Sequence, residues 1–221
     1  MILSSPANYL LNPYLALGLQ RNPFTLESGA AIAPTLWIDR GYSKPPSPKA
    51  KQFIQLIGVK GAGKTSHLKY WQARTGGAYT YYPPDLGRLK MPIVGPIAYW
   101  DEADRIPLPY LLIALATAAR RHSTIVVGTH ADLRLAARMV GLSVKTICIK
   151  PFDELLLLEW VNRRIEAVRV PDAACHLQLD KATARGIVAT VNGSWRDAAD
   201  QLHIWAAAQA SCTARSVATH R

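Results

Sequence analysis

The chain has little that would staple it, anchor it or ligate a metal. Its three cysteines, Cys148, Cys175 and Cys212, are isolated and odd in number. That pattern excludes a disulfide framework or a zinc spacing and suits a reducing cytoplasm. Six histidines are scattered without forming a ligand cluster. No basic region precedes the apolar residues of the N-terminus, and Pro6, Asn8, Asn12 and Pro13 interrupt them, so neither a signal peptide nor a membrane span is expected. Internal repeats are absent, and no Lys or Arg run exceeds two residues. Acidic residues are scarce, at 15 against 26 Lys and Arg, which leaves a net charge of +11 on 221 residues. The deficit is local: residues 51–150 carry 14 basic and 5 acidic side chains, whereas residues 151–221 carry 8 of each. An apolar fraction of 49% with 19% charged residues describes a folded globule rather than a disordered chain.

Against that spare background stands Gly58-Val59-Lys60-Gly61-Ala62-Gly63-Lys64-Thr65, which satisfies G-x-x-x-x-G-K-[ST] at every defined position. It follows the apolar run Phe53–Ile57 and opens a helical segment that begins with Thr65 and Ser66. The context supplies the chemistry. A strand delivers the loop to a sheet edge, and a helix N-terminus adds unpaired N–H groups and the positive end of its dipole. Glycines let main-chain amides wrap phosphate where a Cβ would obstruct them. Residues Gly58 to Ser66 are therefore the expected nucleotide cradle, with Lys64 reaching the β/γ oxygens and the Thr65 hydroxyl facing Mg²⁺.

Three further segments complete a candidate site. Ile97-Ala98-Tyr99-Trp100 is an apolar strand ending in Asp101-Glu102. Asp101 is placed to hold the Mg²⁺ shell beside Thr65, and Glu102 to orient and deprotonate water. Thr124–Gly128 is a β-branched strand that ends in Thr129 and His130. Either side chain could sit between the carboxylates and a γ-phosphate, and both remain candidates. Finally, Gly193-Ser194-Trp195-Arg196 follows a helical run. Ser194 reads as a helix N-cap and sets Arg196 on the first turn, where a cation is unfavourable unless an anion such as phosphate offsets it. Solvation or pairing with Asp200 is the simpler alternative for Arg196.

Spacing of the apolar segments gives the organisation. Residues 1–50 read as an irregular leader on the nucleotide-binding core. Residues 51–150 alternate strands (Phe53–Ile57, Ala78–Tyr82, Ile97–Trp100, Thr124–Val127, Lys145–Ile149) with helices (Thr65–Arg74, Pro109–Arg121, Asp132–Val140). This implies an α/β three-layer core with a mainly parallel five-stranded sheet. Pro83, Pro84, Pro92 and Pro96 argue against a helix between the second and third strands. Residues 151–221 carry only helical periodicity, with helices over 153–168, 180–191 and 194–210 and a disordered-looking tail, which is a small helical lid. Leu155 to Leu158 read as lid core. Lys69-Tyr70-Trp71 and Tyr79–Tyr82 read as core or adenine-pocket packing rather than base-stacking surfaces.

Taken in order, the phosphate loop, Asp-Glu strand, polar-ended strand and late Gly-x-x-Arg resemble the AAA+ family of P-loop ATPases over about residues 50–210. Leu17-Gly18-Leu19-Gln20-Arg21-Asn22-Pro23-Phe24 looks like the segment that leads into secretion-pathway and transposition-helper ATPases, whose aromatic packs beside adenine. The resemblance implies ATP and Mg²⁺ as ligands and ATP binding between core and lid. It also implies that Arg196 is the sensor coupling γ-phosphate to lid closure, and that the chain assembles with itself or a protein partner. Arg134 and Arg138 are candidates for reaching a neighbour's γ-phosphate, although plain solvation is the preferred reading of both. No guanine-reading Asn/Thr-Lys-x-Asp follows the fourth or fifth strand, in keeping with ATP. A basic core is suited to tracking a nucleic-acid backbone. The expected function is a regulatory ATPase that switches conformation or assembly. The alternatives are a nucleotide-dependent binding module with negligible turnover and a small P-loop kinase.

Overall fold

The computed structural model describes residues 11–25 and 36–219. These divide into two compact units, Asp39–Lys150 and a second built from the residues before Asp39 together with those from Pro151 onward.

In the first unit five strands form one sheet: β1 (Gln52–Ile57), β2 (Ala78–Tyr81), β3 (Ile97–Asp101), β4 (Thr124–Thr129) and β5 (Ser143–Cys148). Their order is β2-β3-β4-β1-β5, with every neighbouring pair parallel. Three helices connect them: α1 (Lys64–Thr75), α2 (Leu108–Arg120) and α3 (Arg134–Met139). All residues of β3 and β4 are buried, as strands covered on both faces must be. Side chains alternate across the sheet, so adjacent residues serve different cores. Phe53, Ala98, Trp100, Ile125 and Val127 pack with Leu111, Leu115 and Ala118 of α2 and Ala137 of α3. Ile54, Leu56, Tyr99 and Val126 pack with Leu68 and Trp71 of α1. Burying a side chain of this size contributes about 2 kcal/mol. Between β2 and β3, where prolines argue against a helix, only the short 3₁₀ turn Leu86–Leu89 forms.

The second unit is helical: α4 (Glu154–Ala167), α5 (Lys181–Thr190) and α6 (Trp195–Thr219). Asp153 and Asp180 cap α4 and α5 by accepting from the Leu156 and Thr183 amides. Of the four consecutive leucines, Leu157 is fully buried and Leu155 is exposed, with Leu156 and Leu158 half-buried against the same core. The leader does not behave as one piece on the α/β core. Its residues 39–50 belong to the sheet unit, but Leu17, Leu19 and Phe24 are buried with Leu157, Val161 and Leu202 of the helices. The local cause is backbone pairing. Gln20 N–H donates to Val168 O (2.8 Å) and Val170 N–H to Gly18 O (2.9 Å). Gly18 has φ 75° and a Cβ there would lie 2.2 Å from Ala174 O, so only glycine permits this approach. Phe24 stacks on Trp160 with centroids 5.8 Å apart and has 1% of its surface exposed. The aromatic that the resemblance sets beside adenine is thus packed into the helical core. The expected tail is helical as far as Thr219, with Ala206, Ala210 and Ala214 carrying a buried stripe past residue 210. Residues 1–10, 26–35, 220 and 221 of the leader and tail lie outside the described residues. Among the described residues no helix is long and apolar enough to cross a membrane.

Candidate nucleotide site

Strand order alone assembles the site. Because β4 lies between β3 and β1, the β4 C-terminal end separates the phosphate loop from Asp101-Glu102. With neighbouring strands about 4.8 Å apart, β1 and β3 stand roughly 10 Å from each other, the span of a phosphate chain with its metal. Ligands of open α/β sheets sit at this carboxyl edge.

The loop Gly58–Gly63 leaves β1 and enters α1 at Gly63, whose φ of 92° and lack of a side-chain cap leave the first-turn amides of α1 without a side-chain acceptor. Gly61 is also left-handed, at φ 79°. Gly58 is needed for a different reason, since a Cβ would meet the Ile149 and Ala62 Cβ atoms at 3.2 and 3.3 Å. Within the loop Ala62 N–H donates to Val59 O, while Val59 and Lys60 are exposed. Ser66 is the third residue of α1 and half-buried. Lys64 is only 5% exposed. Its Nζ donates to Gly58 O (2.8 Å) and Val59 O (3.2 Å) and lies 3.2 Å from His130 Nε2. Burial lowers the Lys64 pKa, against which Glu102, Asp101 and Asp104 act to raise it.

Thr65 and Asp101 are brought into direct contact. Asp101 Oδ2 accepts from the Thr65 hydroxyl (2.7 Å) and the Tyr79 hydroxyl (2.8 Å), while the buried Oδ1 has no hydrogen-bond partner. A Cβ at Gly128 would lie 2.8 Å from that Oδ1, so the glycine keeps open the space the carboxylate occupies. A buried carboxylate oxygen without a donor is costly unless a cation or water completes it. The donor set of a Thr hydroxyl and an Asp carboxylate is hard oxygen, as Mg²⁺ requires. These residues fit Mg²⁺-triphosphate.

Glu102 follows at φ 58°, a left-handed conformation that turns its side chain off the strand line. Its Oε2 lies 3.0 Å from an Arg105 amino group and 3.5 Å from His130 Nε2. Arg105 is itself held by Tyr82 O (3.0 Å) and the Tyr81 hydroxyl (3.3 Å). His130 N–H donates to Asp104 Oδ1 (2.9 Å). Of the two polar residues ending β4, His130 is the one beside Lys64 and Glu102. Thr129 is fully buried and its hydroxyl is committed to its own turn, donating to Ala131 O (2.8 Å) and accepting from Ala131 N–H (3.1 Å). Of the two candidates for the position facing the γ-phosphate, His130 is the one whose side chain reaches Lys64 and Glu102, and Thr129 the one whose hydroxyl stays within its own turn.

Arg196 lies in the helical unit, exposed, on the first turn of α6. Ser194 is the cap expected, its Oγ accepting from Asp197 N–H (3.3 Å). Among the described residues no ion pair joins Arg196 to Asp200. Arg134 is bound to Asp132 at 2.6 Å, which removes it from the free arginines on α3; Arg138 is exposed. Trp71 and Tyr82 are core, whereas Tyr81 is half exposed.

Two contributors were not foreseen from sequence. Tyr79, on β2, reaches Asp101, and its hydroxyl pKa is pushed up by burial first and by the Asp101 charge second, so it stays a donor. Its signal was available in retrospect: β2 pairs with β3 so that Tyr79 lies opposite Tyr99, two residues before Asp101. Arg40 donates to Ala62 O in the phosphate loop (2.9 Å) and to Lys150 O, bracing the loop from an irregular segment that carries no motif.

No known family matches the sequence, and no curated protein does. Among solved structures the chain is similar to a point variant of RuvB from Thermotoga maritima, with TM-score 0.47 and 18% identity over 68% of this chain and 53% of that one. It is also similar to the replication initiator DnaA bound to AMPPCP and single-stranded DNA, with TM-score 0.46 and 12% identity over 71% of this chain and 56% of that one. The chain spans little more than half the length of either.

Proposed function

We propose that this chain binds Mg²⁺-ATP at the β1–β4–β3 edge and hydrolyses it as a regulatory switch of AAA+ type. The observation that carries the reading is the 2.7 Å contact of the Thr65 hydroxyl with Asp101, beside a glycine loop that leads into a helix N-terminus. Bound Mg²⁺ would neutralise charge on the β- and γ-phosphates and align them. Thr65 and Asp101 are the residues that would hold it. Lys64 would leave the Gly58 and Val59 carbonyls for phosphate oxygens, and the α1 amides would bind the β-phosphate. Glu102 would orient water and accept its proton, with His130 between base and phosphate. Arg196 would report phosphate state to the helical unit, and assembly with further copies would supply any missing arginine. A small-molecule kinase has no need of Glu102 or Arg196 and is the weaker reading.

One observation favours a second reading, a nucleotide-dependent binding module with little turnover. Glu102 is ion-paired with Arg105, which occupies its Oε2 until the pair opens. Turnover measured across protein concentration, beside Lys64→Ala and Glu102→Gln, separates the two. Hydrolysis that rises with concentration and drops by at least about 10²-fold in Glu102→Gln is the expected result. ATP binding without turnover at any concentration selects the binding module, and no ATP binding at all overturns both.

A further inference from the structure

The phosphate edge accounts for only part of the α/β unit's charge. Four of its acids, Asp101, Glu102, Asp104 and Asp132, lie at or just after the C-terminal ends of β3 and β4. At the opposite edge, where the strands begin, the chain places Lys49, Lys51, Arg120, Arg121 and His122, all exposed. Backbone contacts draw them together. Lys51 N–H donates to His122 O (3.1 Å), Ser143 N–H to Lys51 O (3.2 Å) and Lys49 N–H to Pro96 O (2.9 Å). Lys51, Arg120 and His122 line one open cavity of about 440 Å³ whose remaining wall is Ala116, Ala119 and Val140.

Three features bear on what this edge can bind. First, none of its five cationic or imidazole side chains makes a hydrogen bond or ion pair among the described residues, so all five are open to solvent. Second, Lys49 and Lys51 have φ of 55° and 48°, left-handed values at non-glycine residues of the kind found at ligand clamps. His122, at φ 54°, is the left-handed residue that ends α2, with Ser123 N–H donating to Ala118 O (2.9 Å). Third, the cavity wall is uniformly small and aliphatic.

From these we infer that the strand-beginning edge of the sheet, on Lys49, Lys51, Arg120, Arg121 and His122, binds the phosphate backbone of duplex nucleic acid. The cations are spread along an edge and solvated, which suits repeated phosphates and counterion release rather than one small anion. Alanine and valine allow close approach of a sugar-phosphate strand but offer no bulky wedge for a lipid surface. The lining has no aromatic ring on which unpaired bases would stack, which favours a duplex over a single strand. Contacts to phosphate carry no sequence information, so binding is independent of sequence and sensitive to salt.

The test is fluorescence anisotropy of a labelled 30-base-pair duplex in the absence of nucleotide, so that its outcome is separate from that of the ATPase reading. Titrations run from 50 to 200 mM salt for the unmodified chain, for Lys51→Ala/Arg120→Ala/Arg121→Ala, and for the charge-keeping Lys51→Arg/Arg120→Lys/Arg121→Lys. The alanine variant should bind at least about tenfold more weakly at 50 mM salt, and its slope of log affinity against log salt should be shallower by about 2 to 3. The charge-keeping variant should bind as the parent does, and circular dichroism should match for all three. Absence of duplex binding by the parent at 50 mM salt, or parent-like binding by a folded alanine variant, overturns the inference. So does tighter binding of the parent to phosphatidylserine vesicles or poly-glutamate than to the duplex.

Discussion

Asp101 concentrates the energetics of the site in one side chain. Its Oδ2 accepts two hydroxyls while Oδ1 is buried without a donor, so its orientation depends on Thr65 and Tyr79. On the proposed reading Thr65 would also serve Mg²⁺, which leaves Tyr79 as the donor whose task would not change on nucleotide binding. Removing that hydroxyl should loosen the carboxylate while the ring keeps its packing. Tyr79→Phe is expected to cost about 1–2 kcal/mol of stability and to raise the Mg²⁺ concentration for half-maximal turnover several-fold, with nucleotide affinity in the absence of Mg²⁺ unchanged. A variant that loses stability but keeps its Mg²⁺ requirement would reduce Tyr79 to a packing residue. The motif residues were legible because their chemistry dictates fixed spacing in one segment. Tyr79 and Arg40 were not, because their roles arise from strand pairing and from a loop contact between residues 22 positions apart.

At the scale of elements, the start of α6 shows how a short signal positions a long helix. Gly193 has φ 78°, and a Cβ would come within 2.9 Å of the Pro151 Cβ and 3.1 Å of its Cα. Ser194 then caps the helix. Gly193→Ala meets both the left-handed penalty and a clash with a rigid ring, and should destabilise the chain by about 2–3 kcal/mol in urea unfolding. Ser194→Ala, losing the cap alone, should cost about 1 kcal/mol. Equal small losses would mean that the turn relaxes freely. The five strands and the helices between them were readable because β-branched runs, glycines and prolines act locally. The extension of α6 to Thr219 was not, since Ser211-Cys212-Thr213 break the large-apolar pattern. A stripe of alanines every four residues keeps the helix packed where periodicity of bulky residues has ended. The allegiance of Leu17, Leu19 and Phe24 was hidden for a related reason: an irregular segment has no period, and its partners lie more than a hundred residues away.

For the whole molecule, the consequence of two separately packed cores is thermal. The sheet unit buries Phe53, Trp71, Trp100 and Leu115 around its strands, and the helical unit buries Phe24, Leu157, Val161 and Leu202 around its helices. Each unit can therefore melt on its own terms, and calorimetry should resolve two transitions rather than one two-state event. Lys64, Thr65 and Asp101 all belong to the sheet unit. A ligand present at 100 times its dissociation constant stabilises the state it binds by about 2.7 kcal/mol. For a unit of this size that is a rise of about 10 °C. Mg²⁺-ATP is expected to raise the sheet-unit transition by that order and to do nothing in Lys64→Ala. If Arg196 reads the phosphate, the helical transition should rise as well, and Arg196→Ala should abolish that second rise while sparing the first. A helical transition that ignores ATP in the parent chain removes Arg196 from the mechanism and leaves a nucleotide site complete on the sheet unit alone.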